Sequence, residues 1–401
     1  MPNGRSLRGE GKKGRTIRRM EKLTVPQGDF QLSRYPEDKD DPLRAWDAAD
    51  EYLLNTLAEQ FDAERTLNIL IINDGFGALT VALANHSVTV WTDSYLSAEG
   101  IKLNLSRNKQ PAENVNIMNS LQTPDEPYDV VLIKIPKTLA MLEDQLTRIR
   151  PILKAETQIM GAAMVKALHT STLSLFEKYI GMTRTSLARK KARLIHCQLD
   201  KTSASVTSRY PTSYILEGTD HTLINHANVF SRESLDIGTR FFLQHLPKDE
   251  KYRSIIDLAC GNGVIGLIAA EKNPQAELTF LDESYMAVAS AQANFNAAFG
   301  ESRQAVFQVV DGLQGIPDHS ADLILNNPPF HQQHAMGDGV AWNMFRQSRN
   351  VLTQNGELWV VANRHLGYHV KLKKLFGNCE SVAGNKKFVV LKAVKITKPG
   401  V

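Results

Sequence analysis

Short runs of apolar and β-branched residues recur along this chain, and each is closed by a glycine, an acid or an amide. In the second half they are residues 254–260, 278–281, 305–310, 322–325 and 357–363. Runs of this length without polar alternation predict strands buried on both faces, and the polar residue at the end marks where the chain leaves the sheet. Residues 267–271 continue the first run as a helix, and 235–246 repeat apolar positions at helical spacing. Strand, glycine turn, helix and strand make a βαβ unit, so the predicted fold class is α/β with a Rossmann-like parallel sheet. Residues 213–218 and 221–225 read as a strand pair ahead of it. Residues 386–396 read as one or two terminal strands, closing the sheet with an antiparallel hairpin.

The first half repeats the pattern in a degraded form. Residues 69–79 carry a strand and a glycine turn at Gly75 and Gly77, matching Gly261 and Gly263; residues 88–94 match the strand ending at Asp282; residues 129–137 match 322–330. The offsets of 186, 189 and about 192 are nearly constant, as an internal duplication requires. Where the second copy has Asn327-Pro328-Pro329-Phe330, the first has lost the asparagine, one proline and the aromatic ring, and places Lys134 and Lys137 at the rim. The first copy is therefore expected to be non-catalytic and to support RNA binding without a cofactor.

The second copy retains the chemistry. Asn326-Asn327-Pro328-Pro329-Phe330 follows a strand. The prolines fix φ and remove backbone donors, leaving the Asn327 side-chain oxygen and the Pro328 carbonyl free to accept from an exocyclic NH2 group. Phe330 is placed to stack on the base. Alone, such a turn is more often a rigid corner. The glycine turn at Gly261-Asn262-Gly263-Val264-Ile265-Gly266 changes that, because its glycines let backbone approach a nucleotide-like ligand. The motif suits a dinucleotide as well as S-adenosylmethionine, and charge separates the two. A pyrophosphate favours helix amides without carboxylates nearby, whereas here Asp257, Asp282 and Asp311 close successive strands and residues 254–270 contain no Lys or Arg. A rim of acids suits the cationic cofactor, with Asp282 toward its ribose and Asp257 toward its ammonium end.

The segments Asp257-Leu258-Ala259-Cys260-Gly261-Asn262-Gly263 and Asn327-Pro328-Pro329-Phe330-His331-Gln332-Gln333-His334 resemble the bacterial ribosomal RNA guanine-N2 methyltransferases of the RsmC/RlmG group. So do Asn225 to Ser231 and Leu235 to Arg240. The run His331 to His334, with Ala362 to Leu366, is more similar to the members acting on the large subunit. The resemblance spans about residues 30–395 and implies two tandem class I methyltransferase domains. It also implies S-adenosylmethionine as cofactor, methylation of the exocyclic N2 of one guanine in 23S rRNA, and closure of residues 229–239 over the cofactor. Ala259 departs from the glycine common in such enzymes. Other readings of the same turn are methylation of a 16S guanine, of adenine N6 in DNA or of a protein glutamine, or a non-catalytic RNA-binding assembly protein.

Domain boundaries are expected at 1–29 (a basic extension), 30–199 (the degenerate copy), 200–212 (a Ser/Thr-rich linker) and 213–401 (the catalytic copy). The chain has 401 residues, net charge +4 and 42% hydrophobic residues, with no apolar run long enough to span a membrane. Its three cysteines lack metal or disulfide spacing and suggest a reducing, cytoplasmic setting. The first twenty residues are strongly basic, and Met20 is read as the true start. RNA affinity is expected from local patches: Arg189, Lys190 and Lys191, with Arg184 and Arg193 nearby, and Arg364 in a C-terminal stretch where nine Lys/Arg face one acid, Glu380. No metal is expected, and a monomer is.

Overall fold

A computed structural model describes residues 22–38, 43–62, 64–202, 206–329 and 334–396. Residues 1–21 of the expected basic extension, with the proposed start at Met20, lie outside the described residues; its last part, 22–29, belongs instead to a hairpin whose Leu23 and Val25 are buried in the core of the first half, so the boundary drawn at 29 falls too late.

The first half opens with a hairpin, β1 (Lys22–Val25) and β2 (Gly28–Gln31), and helix α1 (Ala48–Gln60). There follow β3 (Asn68–Ile72), α2 (Ala78–Leu83), β4 (Ser87–Thr92), α3 (Tyr95–Arg107), β5 (Val115–Asn119), β6 (Val130–Lys134), α4 (Leu139–Ile149), β7 (Gln158–Met164), α5 (Thr170–Tyr179), β8 (Thr183–Thr185) and β9 (Ala192–Cys197). The second half has the hairpin β10 (Thr212–Ile215) and β11 (Thr222–Asn225), then α6 (Ile237–Leu243), β12 (Ser254–Leu258), α7 (Val264–Lys272), β13 (Glu277–Asp282), α8 (Tyr285–Phe299), β14 (Ala305–Val309) and β15 (Ala321–Asn326). It ends with α9 (His334–Val351), β16 (Leu352–Asn363), α10 (Tyr368–Phe376), β17 (Glu380–Gly384) and β18 (Phe388–Val394). The predicted strand pair and antiparallel terminal hairpin are present, and the helix expected over 235–246 occupies 237–243.

Each half builds a seven-stranded sheet in the same order. The first runs β5-β4-β3-β6-β7-β9-β8, the second β14-β13-β12-β15-β16-β18-β17. Six strands of each sheet run in one direction, and β9 or β18, between the fifth strand and the edge strand, runs antiparallel to both neighbours. Strand order reverses between β3 and β6, and between β12 and β15, and that switch point is where open α/β sheets bind ligands. The central strands are apolar on both faces: Ile69, Leu70, Ile71 and Ile72 are fully buried, as are Leu323, Ile324 and Leu325.

Register aligns the copies residue by residue and corrects the sequence alignment by one position. Ile71 pairs with Val90 and Asp257 with Phe280, so Thr92, and not Asp93, stands at the place of Asp282. Asp93 corresponds to Glu283, just past the strand. The apolar pattern could not fix this, because Asp282 and Glu283 are consecutive acids, so Asp93 finds an acid in either frame and only the backbone ladder distinguishes them.

The two halves meet there. Tyr95 N–H donates to the Glu283 carbonyl at 2.9 Å and Tyr285 N–H to the Asp93 carbonyl at 3.1 Å. The N-cap serines of α3 and α8 reciprocate: Ser94 Oγ donates to Glu283 at 2.6 Å, and Ser284 Oγ to Asp93 at 2.6 Å. Asp93 also accepts from Ser120 Oγ (2.5 Å), Asn228 Nδ2 (2.7 Å) and the Met286 N–H (2.9 Å). Residues 208–210 are tied to α4 as well, Ser208 to Asp144 and Arg209 and Tyr210 to Glu143.

Asp93→Ala would leave donors from both halves buried without an acceptor. The expected loss is on the order of 3 kcal/mol, the scale of breaking a buried charged hydrogen-bond set, read as a lower urea midpoint. An unchanged midpoint would mean the joint contributes nothing to stability.

Candidate cofactor and base site

The site residues foreseen in the sequence meet at the C-terminal ends of the second sheet's strands. Asp257 lies on β12 beside Leu325 of β15, one pair before Leu258 and Asn326. Asp282 ends the neighbouring β13, and Asp311 follows β14. Asn327 and Pro328 leave β15 on the other side of the switch point. Phe330 and His331 lie outside the described residues.

Asp257 is fully buried. One carboxyl oxygen accepts the Gly266 N–H at 2.7 Å, and the other has no donor among the described residues. Burial pushes the group up to about 8, against the pull of that N–H. Gly266 has to be glycine, since a Cβ there would run into the Phe280 ring. Gly263 likewise lets α7 approach α8, with φ +76° and a Cβ position 2.7 Å from Ala291 Cβ. Gly261, φ +54°, differs: its Cβ direction meets nothing within 4 Å and faces open space. Ala259 also adopts a left-handed conformation, φ +58°, which explains why glycine would be at home there and is a modest strain for alanine.

Asp282 ties the turn to the next strand. Its oxygens accept from the Gly261 N–H (2.9 Å) and the Ser284 N–H (3.0 Å), so each retains one further lone pair for a ligand. Burial raises its titration above the ordinary range, as it does for Asp311. Asp311 borders a cleft of about 240 Å³ walled by Leu313, Gln314 and Gln347 and, from the first half, Tyr35 and Pro36. The Cys260 thiol is buried beside the turn and pushed well above its ordinary range by burial and by Asp282 and Asp257, which suits packing and not nucleophilic chemistry.

At the other side of the switch point, Asn327 Nδ2 donates to the Thr239 hydroxyl at 3.0 Å, and its Oδ1 is buried without a donor among the described residues. Asn326 Oδ1 and Asn363 Oδ1, at the ends of β15 and β16, are in the same condition. With Asp257, four buried oxygens at the strand ends lack donors among the described residues, at a cost of about 1–3 kcal/mol each if nothing answers them. A ligand offering ammonium and NH2 groups fits that set. The open approach over Gly261 fits a nucleoside cofactor.

Two contributors were not legible as such. Asn363 appeared only as a strand end, and Thr239 only within a resembling segment. The signal was present in the spacing, because Asp236 three residues before Thr239 is an N-cap pattern, but nothing in sequence pairs residue 239 with 327. Asn225, quoted only within a resembling segment, accepts from Asn262 Nδ2 at 2.9 Å and pins the tip of the glycine turn.

The first copy has lost every equivalent. Ile71 replaces Asp257, Thr92 replaces Asp282, Leu121 replaces Asp311 and Lys134 replaces Asn327. Lys134 does stand at the former mouth, but it is no free RNA contact. Its ammonium is buried between Asp47 (2.9 Å) and Asp50 (2.8 Å), the capping-box residues of α1. Burial pulls that ammonium down and Asp50 and Asp47 more than restore it, while burial pushes Asp50 up to about 6 despite Lys134. Arg189, Lys190 and Lys191 form the exposed tip of the β8–β9 hairpin, where Lys190 and Lys191 adopt positive φ. Lys190 reaches Glu51 at 2.6 Å, Arg189 reaches Glu59 at 3.8 Å and lies over the Tyr52 ring, and Lys191 is exposed. Arg193 points inward, its Nε buried. Arg364 is exposed in the other half and donates to the Asn385 carbonyl. Among the described residues no acid, His and Cys cluster could hold a metal, and no helix is long and apolar enough to cross a membrane.

Sheet order, glycine turn and strand-end residues together define a class I methyltransferase, duplicated within one chain. Residues 220–392 match the family described as methyltransferase small domain, and residues 20–201 match the RLMG N-terminal domain. Ribosomal RNA large subunit methyltransferase G of Streptomyces coelicolor is 50% identical over 378 residues, covering 93% of this chain and 100% of its own. The protein of the same name from Stutzerimonas stutzeri is 50% identical over 375 residues, covering 93% and 99%. The chain belongs to the ribosomal RNA large subunit methyltransferase G family. Its fold is shared with a T. thermophilus 16S rRNA N2 methyltransferase (RsmC) in complex with AdoMet and guanosine, at TM-score 0.72 and 18% identity over 94% of this chain and 98% of that one.

The raised Asp257 carboxyl has a consequence for stability. Below the ordinary value of 3.8 it is protonated folded or unfolded. Between there and about 8 only the unfolded chain gives up the proton, so its contribution to stability declines as pH rises through that window. Asp257→Asn should flatten the fall in denaturation midpoint between pH 4 and about pH 8 relative to wild type. Parallel profiles for the two proteins would show that Asp257 is ionised when folded.

Proposed function

We propose that this chain transfers a methyl group from S-adenosylmethionine to the exocyclic N2 of one guanine in 23S rRNA, acting as a monomer in the cytoplasm. The observation that carries the reading is the set of buried, unanswered oxygens at one sheet edge, with Asn327 Oδ1 beside the Pro328 carbonyl. The kinship with large-subunit rRNA methyltransferases narrows the base to one in ribosomal RNA. Bound at the glycine turn, the cofactor supplies an electrophilic methyl on a sulfonium.

The residues of the second half then do four things. Asp282 and the open face over Gly261 would seat the ribose, Asp257 in its ionised form would accept from the ammonium end, and Asp311 would stand beside the base of the cofactor. Guanine N2 has its lone pair drawn into the ring and is a poor nucleophile. Hydrogen bonds from its NH2 to Asn327 Oδ1 and the Pro328 carbonyl turn the lone pair toward the methyl carbon, so the protein contributes orientation more than acid–base chemistry. Phe330 would cover the base by stacking, which requires an unstacked guanine from a loop or junction. After transfer the nitrogen loses its proton to water. The loss of all four equivalents in the first half supports a non-catalytic role there, and the exposed hairpin tip Arg189-Lys190-Lys191 and the exposed Arg364 of the second half are suited to RNA phosphates.

Labelled methyl transfer from S-adenosylmethionine to 23S against 16S RNA, with the product nucleoside identified, tests the reaction itself; label in 16S alone, or in no guanine, would refute it. Asn327→Ala should lower single-turnover rate on the order of a hundredfold or more while cofactor and RNA affinities stay near wild type. A wild-type rate would make this turn a structural corner. Neutralising Arg189, Lys190 and Lys191 together should weaken RNA binding and flatten its log–log salt slope by about 0.7–0.9 for each phosphate that is no longer neutralised. Cofactor affinity should be unmoved, and an unaltered salt slope would place the RNA elsewhere.

A further inference from the structure

We infer that Thr239 is a positioning residue for methyl transfer, holding the Asn327 amide with its oxygen toward the acceptor base. This rests on the reading of Asn327 just given. A side-chain amide can sit two ways round, and only one presents an acceptor to an NH2 group. What selects between them is the partner at the other end of the amide.

That partner is the Thr239 hydroxyl, on the first turn of α6, 3.0 Å from Asn327 Nδ2. The hydroxyl has one proton to give. Asp236, the N-cap of α6, lies 3.4 Å away through Oδ2, the same oxygen that accepts the Thr239 N–H at 2.9 Å. An ionised carboxylate only accepts, so the hydroxyl proton turns toward Asp236 and the hydroxyl offers Asn327 a lone pair. The amide answers with its NH2, which leaves Oδ1 facing the space where it has no donor among the described residues. Reversing the amide would set two acceptors against each other while the carboxylate stands behind.

The surroundings hold this relay still. Thr239 is 5% exposed. Gly238 beside it lies against the Phe388 ring, where a Cβ would come within 2.9 Å, so α6 is packed onto β18. Helix α6 and the Asn327 turn are thus fixed independently to the same sheet. The relay spans 88 residues of sequence and is made of protein groups alone, so it can aim the acceptor without help from the base, which is preorganisation.

The test compares Thr239→Val, which keeps the branched shape and deletes the hydroxyl, with Thr239→Ser, which keeps the hydroxyl. Thr239→Val should lower the single-turnover rate at saturating RNA at least tenfold with cofactor affinity by calorimetry within about twofold of wild type, and Thr239→Ser should recover most of the rate. In the Asn327→Ala background Thr239→Val should add almost nothing, because the group it orients is gone. Rates that multiply in the double variant, a wild-type rate in Thr239→Val, or a cofactor affinity that falls as far as the rate would each overturn the inference, the last by making Thr239 a cofactor contact. If Thr239→Val does not fold, Thr239→Ser carries the test alone: near-wild-type rate supports the relay, and a loss as large as that of Asn327→Ala refutes it. Should Asn327→Ala itself turn over normally, the reading of the site fails and not merely this inference.

Discussion

A carboxylate removed from water must be met by donors, and Asp93 is met from both halves of the chain at once. Serines from both halves, an asparagine between β11 and α6 and a backbone N–H converge on it. Because Ser94 gives Glu283 the same bond that Ser284 gives Asp93, the joint is nearly symmetric. Its position just past the second strand of each sheet means that the halves are fastened beside their ligand edges. That brings Tyr35 and Pro36 of the first half to the cleft at Asp311. The first half is thereby part of the wall of the cleft beside Asp311.

Duplication makes the chain its own control. Both copies must satisfy the N–H of the helix that follows the glycine turn, and they do so differently. In the second copy Gly266 N–H is taken by Asp257, whose other oxygen is left for a ligand. In the first the equivalent Thr80 N–H is taken by Asp74, which also accepts from the Thr80 hydroxyl and Gly77 N–H, so the carboxylate is answered from within. The position of Asn327 follows the same logic. Lys134 is neutralised by the capping aspartates of α1, an internal ion pair that fills the former mouth, whereas Asn327 is held at one end and open at the other. At this edge the second copy keeps oxygens without donors among the described residues, and the first answers its own groups internally.

The fold and most of the site could be read from the chain because they rest on local pattern. Strand length, the glycine turn and the residue closing each strand are consecutive in sequence, and a parallel sheet puts all strand ends on one edge. Asp257, Asp282, Asp311 and Asn327 could therefore be assembled without coordinates. The one-residue alignment error at Asp93 shows the limit of that approach, since composition is indifferent to a slip that the ladder forbids.

What the sequence by itself determined is which residue types stand at the strand ends, and hence a cationic cofactor beside a planar amine. Tertiary structure decided which of their atoms are free. Whether Lys134 is a binding charge or a plug depends on α1 folding back over it, and which way Asn327 faces depends on Thr239. Both are hydrogen-bond allocations among residues distant in sequence. A side chain's capacity to donate or accept is written in its identity, but what remains of that capacity after folding is set by its neighbours in space.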